Sequence, residues 1–186
     1  MIFNHWKSYC QGESNSAMVS FNPRRVTMDT SVLVAHIISK RDSSVVRSVI
    51  LKSKTDDELI ITNIIRDEVL AYADKPDSRA TRYELECGLE DLGVPIYDLG
   101  EPPSASELQE RYGIRDIDDS KILYSVETTD SVILVTYDDD YFDEGIHGLD
   151  LEIMDPLFYL YEEDIKSGKY VPERPRNRRH LVVKKH

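Results

Sequence analysis

The chain has 186 residues, of which 40% are hydrophobic and 31% charged, with a net charge of −12. That length and composition fit one globular domain with short appendages, and they exclude a disordered chain. Its two cysteines, Cys10 and Cys87, stand far apart in no CxxC pair, and its five histidines show no ligand spacing, which excludes a disulfide framework and a zinc ribbon.

The first residues, "MIFNHWKSYCQG", show no charged segment followed by an apolar run, and no stretch approaches the roughly 18 apolar residues of a membrane span. A cytoplasmic protein without a membrane partner is expected. The charge is unevenly spread. Residues 169–186 hold seven Lys and Arg against the single acid Glu173, so this tail carries +6 and the remainder −18. An acidic body repels nucleic acid unless cations or the basic tail intervene.

Taken in chain order, residues 1–24 form a polar extension without periodicity, ending in "SFNPRR". A strand is predicted at Arg25–Asp29, followed by helices at Thr30–Lys40 and Ser44–Lys54. A second strand, Leu59–Thr62, leads into helices at Asn63–Asp74 and Ser78–Leu92. The third strand, Val94–Tyr97, precedes helices at Ser104–Tyr112 and Ile117–Thr128. Strands at Val132–Thr136 and Leu151–Met154 and a helix at Pro156–Lys166 complete a domain spanning 25–166. The remainder, 167–186, reads as a basic tail whose segment "VPERPRNRRH" has a linker composition.

The strands are short runs of Val, Ile and Leu, as strands buried on both faces should be. Their alternation with helices predicts right-handed βαβ units and a three-layer α/β/α sandwich around a central, mostly parallel sheet. Ligands of such folds gather beyond the carboxyl ends of the strands.

Acidic residues fall at those junctions. Asp29 ends the first strand in "RVTMDTS", where it either caps the next helix or stands free at the strand tip while Thr30 or Ser31 caps. In "NIIRDEVLAY", a helical wheel places Glu68 at about 40° from Ile64, within the apolar face, while Asp67 points away. In "IDDSKILYSVE", Asp119 falls at about 200° from Ile117, between Val126 and Leu123, with Asp118 outside the stripe and Asp116 flanking it. A buried carboxylate needs a partner, so a structural salt bridge is the plain alternative for both. Asp138 follows the strand "SVILVT" at once, in a run of three Asp that also suits a solvated loop. Four carboxylates at one sheet edge repel each other unless protonated or neutralised. Mg2+ or Mn2+, bound through oxygen ligands, relieves this and supports phosphoryl chemistry.

The same residues resemble the PIN-domain nucleases over roughly 25–165. The likeness rests on the strand ending in Asp29, Thr30 and Ser31, on Glu68 after "LIITNIIRDEVL", and on Asp119 opening "DSKILYSVE". It extends to Thr136, Asp138, Asp140 and Tyr141–Phe142 in "VILVTYDDDYF", and to the Pro of "EIMDPLFYLYEE". The resemblance implies a VapC-like ribonuclease fold in which Asp29, Glu68, Asp119 and Asp138 bind Mg2+ or Mn2+, supported by Ser31 and Thr136. It implies hydrolysis of an RNA phosphodiester to a 5′-phosphate and a 3′-hydroxyl, by a toxin of a toxin–antitoxin pair or by an RNA-processing enzyme. A homodimer and an antitoxin or other protein partner are further implications. Arg174, Arg176, Arg178 and Arg179 are candidates to hold the RNA backbone. The competing reading is a non-catalytic module that keeps the fold and binds RNA or protein. A phosphohydrolase using Asp29 as nucleophile fits less well, because Ser31 stands where that chemistry wants a second Asp.

Overall fold

Short runs of β-branched and aliphatic residues form a six-stranded sheet in the computed structural model, which describes residues 22–39, 44–143, 145–170 and 179–185. The strands are β1 (Arg25–Met28), β2 (Glu58–Thr62), β3 (Ile96–Tyr97), β4 (Ile133–Val135), β5 (Leu151–Met154) and β6 (His180–Val183). Their order across the sheet is β3-β2-β1-β4-β5-β6; the first five are parallel and β6 runs antiparallel to β5. Val26 faces Leu59 on one side and Ile133 on the other, so β1 is the central strand. From β1 the chain builds outward to β2 and β3, then returns to the other side of β1 to lay down β4 and β5. The reversal of strand order leaves a crevice at the carboxyl ends of β1 and β4.

The helices are α1 (Thr30–Ile38), α2 (Val45–Thr55), α3 (Asn63–Ala71), α4 (Arg82–Asp91), α5 (Ala105–Tyr112), α6 (Ile117–Thr128), α7 (Asp140–Asp143), α8 (Pro156–Leu160) and α9 (Glu162–Lys166). They surround the sheet as an α/β/α fold, with α3 against α1, α4 and α6, and α2 against α8. Val26, Met28, Ile60, Leu134 and Ile153 are fully buried at the centre, as expected for strands covered on both faces. At the amino end of β1, Arg24 clamps Asp57 through Nε (2.9 Å) and Glu162 through Nη1 (3.0 Å), while the Tyr159 hydroxyl donates to Asp57 (2.7 Å). Among the described residues, no helix is long and apolar enough to cross a membrane.

Several sequence expectations need correction. Residues 180–183 do not belong to a free basic tail: they pair with β5, with Leu151 opposite Val183 and Met154 opposite His180. The helix predicted from Ser78 begins at Arg82, because the Ser78 hydroxyl bonds Ala80 in a turn while Thr81 and Glu84 form the capping box. The third strand shrinks to Ile96–Tyr97. The predicted helix Pro156–Lys166 breaks at Tyr161 into α8 and α9, and the end of the Asn63–Asp74 helix tightens into a 3-10 turn, Tyr72–Asp74. Helix α7, in the run read as a loop, was not predicted.

Candidate metal and catalytic site

The tips of β1 and β4 are laced together by side chains that the sequence placed side by side. Asp29 is 4% exposed, and its Oδ2 accepts from the Ser31 hydroxyl (2.5 Å), the Ser31 N–H (3.4 Å) and the Thr136 hydroxyl (2.8 Å). Ser31 Oγ in turn accepts from the Tyr137 N–H (3.3 Å), and Thr136 Oγ1 from the Asp138 N–H (2.8 Å). Ser31 and Thr136 therefore fix the orientation of Asp29 and tie α1 to the end of β4. Asp29 is itself the N-cap of α1. Of the two readings open in the sequence, capping by Asp29 is the one that holds, rather than capping by Thr30 or Ser31: one carboxylate ends the strand and caps the helix. Burial raises its pKa, against the lowering effect of the bonds from Ser31 and Thr136.

Glu68 and Asp119 approach from two helices that pack on each other, α3 and α6. Glu68 is half-buried, whereas its neighbour Asp67 is exposed and pairs with Arg66 (2.6 Å). Burial first, and then the charge of Asp29, pushes the Glu68 carboxyl up to about 7. Asp119 is half-buried in the first turn of α6, while Asp118 is exposed and pairs with Lys121 (2.7 Å). Asp119 is also pushed up to about 7, by burial and then by the charges of Asp138, Asp116 and Asp29. Asp116 is the N-cap of α6: its Oδ1 accepts from the N–H groups of Asp118 (2.8 Å) and Asp119 (3.3 Å). Its supporting role is therefore to build the turn that carries Asp119. Asp138 is half-buried, and its Oδ1 accepts from the Asp140 N–H (2.9 Å) at the start of α7.

Sequence reasoning assigned no role to Tyr141. It is fully buried, donates to the Asp119 carbonyl oxygen (3.4 Å), and its ionisation is suppressed by burial and by Asp29, Asp119 and Glu68. The signal for it lies only in the aromatic pair after the acidic run. Thr30, beside Asp29, is buried, and its hydroxyl lowers the pKa of Glu68 against the effect of burial.

The four carboxylates act on one another pairwise: Asp29 with Glu68, and Asp119 with Asp29 and Asp138. Among the described residues, no group of three Asp, Glu, His or Cys side chains is already closed around a common point. The donor chemistry nevertheless fits a hard cation. All four groups are carboxylates, and burial and mutual repulsion hold two of them protonated up to about 7. A divalent ion relieves the same repulsion without those protons.

A family model of the PIN domain matches residues 26–145, more than half of the chain. The chain belongs to the PIN-domain family. PIN domains are in general nucleases that use divalent metal ions. Among solved structures, this PIN domain is similar to a chain in the crystal structure of VapBC2 from Rickettsia felis bound to a DNA fragment from their promoter. The likeness covers 70% of this chain and 98% of that one, at 15% identity and a TM-score of 0.49. Among curated proteins, none matches.

The basic residues named from the sequence fall differently. Arg174, Arg176 and Arg178 lie outside the described residues. Arg179 precedes β6, where its guanidinium pairs with Asp139 and lies 5.5 Å from the centre of the Phe142 ring. Lys184 pairs with Asp150 (3.8 Å) and Lys185 with Glu127 (3.7 Å), so these tail cations sit on acids of the domain.

Proposed function

We propose that this PIN-domain protein is a metal-dependent endoribonuclease in which Asp29, Glu68, Asp119 and Asp138 hold Mg2+ or Mn2+. The observation that supports this reading is that acids on separate elements near the reversal of strand order raise one another's pKa, Asp29 acting on Glu68, and Asp138 and Asp29 on Asp119, with Glu68 and Asp119 each pushed up to about 7. When bound, the cation supplies activation of a water molecule and neutralises charge on a phosphoryl oxygen. The chain supplies the rest. Ser31 and Thr136 fix Asp29, Asp116 presents Asp119, and the buried Tyr141 hydroxyl donates to the Asp119 carbonyl. Glu68 and Asp119 give up their protons as the ligand set forms, so metal affinity rises with pH through about 7. The products are a 5′-phosphate and a 3′-hydroxyl.

Incubation of the purified protein with single-stranded and structured RNA in Mn2+ tests this. Cleavage that chelation stops, and that Asp29→Asn and Asp138→Ala remove, is expected. RNA bound but uncut under all metal conditions would instead make the domain a binding module. A protein partner, either an antitoxin or a second copy of the chain, belongs to the same reading, and mass by light scattering tests the homodimer.

A further inference from the structure

Next to the carboxylate crevice lies a second cleft of about 370 Å3, lined by Val45, Thr136, Tyr137, Phe142, Leu157 and Arg179, with Asp139 and Asp155 on its wall. Thr136 belongs to both sites: it lies at this cleft, and its hydroxyl donates to Asp29 at 2.8 Å. Tyr137 lies between Thr136 and Asp138 in sequence, and it lines the cleft while 46% exposed. Phe142 forms another aromatic wall, with the Arg179 guanidinium over its ring.

Among the described residues that line the cleft, Arg179 is the one cation. It is held there on both ends. Its backbone N–H donates to Asp155 Oδ2 (2.7 Å) just before β6 begins, and its guanidinium pairs with Asp139, whose side chain is 60% exposed. Asp155 is otherwise spent, because its Oδ1 accepts from the Leu157 (2.8 Å) and Phe158 (2.9 Å) N–H groups to cap α8.

We propose that this cleft is a subsite for one nucleotide of single-stranded RNA adjoining the phosphodiester that is cut, its base against Tyr137 and Phe142 and its phosphate on Arg179. The volume is in the range of small-molecule sites. Base stacking is the affinity term best suited to an acidic protein, because it needs no net positive charge and every base has a π-face. One guanidinium seated over an aromatic ring then supplies the phosphate contact. Asp139 is the counter-ion with which that phosphate competes. The proposal rests on the nuclease reading for what happens next door, but not for whether RNA binds.

The test is the affinity of a fluorescent single-stranded RNA hexamer for the full-length protein without divalent metal, read by anisotropy at fixed salt. Tyr137→Ala and Arg179→Ala are expected to weaken binding about tenfold each. Asp139→Asn should tighten it, since the competing carboxylate is gone; a merely structural pair would not shift in that direction. Tyr161→Ala, outside the cleft, serves as the control for a solvent-facing aromatic. Absence of hexamer binding by the wild type, or equal binding by Tyr137→Ala, Arg179→Ala and Tyr161→Ala with intact folding by circular dichroism, overturns the proposal. Subsite-dependent binding in a protein that never cleaves RNA upholds the subsite and sinks the nuclease reading instead.

Discussion

Glu68 and Asp119 keep their carboxyl protons up to about 7, where ordinary Glu and Asp release them near 4.5 and 3.8. Between those values the folded protein binds protons that the unfolded chain has lost. Stability of the metal-free protein therefore falls as pH rises through that window. Thermal melts are expected to show Glu68→Gln and Asp119→Asn more stable than wild type at about pH 8, by several degrees, with no gain at about pH 4. Equal melting at both pH values would show that neither acid is held protonated. Thr136 makes a second residue-scale case. Its buried hydroxyl donates to Asp29 and accepts from the Asp138 N–H. Thr136→Val keeps the shape and loses both bonds, so denaturant unfolding should register a loss of about 1–3 kcal/mol. Helical period alone separated Glu68 from Asp67 and Asp119 from Asp118, because both helices are long enough to have a face. Tyr141 escaped that reasoning because α7 has four residues and no period to read. Asp29 was legible as a strand-tip acid, and its capping of α1 as one of two open readings, since three adjacent residues compete for that position.

At the scale of elements, alternating strand and helix signals located all five parallel strands, and the failures share a cause. Strand β6 is four residues between cations, and the charge of "RRHLVVKKH" masked its apolar stretch. Flanking Lys and Arg are nevertheless what an edge strand carries to discourage further pairing. The sheet therefore runs beyond the span 25–166. Removing residues 171–186 should expose the edge of β5 and uncover the core that Val183 covers. The truncated chain is expected to melt lower and to aggregate, as light scattering on heating would show. Arg24 joins β1 to Asp57, just before β2, and to Glu162 in α9, whose side chains are each 3% exposed against 39% for the arginine. Arg24→Ala leaves the buried Asp57 without its cation and Glu162 with Lys166 alone (2.7 Å), and should cost about 3 kcal/mol in denaturant unfolding. A loss below about 1 kcal/mol would mean that water replaces the guanidinium there.

For the molecule as a whole, the net charge of −12 and the acid-lined crevice set the terms on which an RNA substrate can approach. Composition made that conflict visible; the sequence offered cations or the basic tail as its relief. Instead Arg179, Lys184 and Lys185 are paired with Asp139, Asp150 and Glu127, so part of the tail neutralises the domain surface. Charge pairing between segments far apart in the chain depends on the fold, and no local pattern announces it. In the proposed reading a divalent cation brings positive charge to the crevice. The direct test is the rate of single-stranded RNA cleavage as Mn2+ is raised, for wild type and Asp119→Asn. Saturable, chelator-sensitive cleavage is expected for wild type, with a loss of at least about a hundredfold in Asp119→Asn. No cleavage at any Mn2+ concentration, or an unchanged rate in Asp119→Asn, would contradict a metal-dependent ribonuclease built on these four acids.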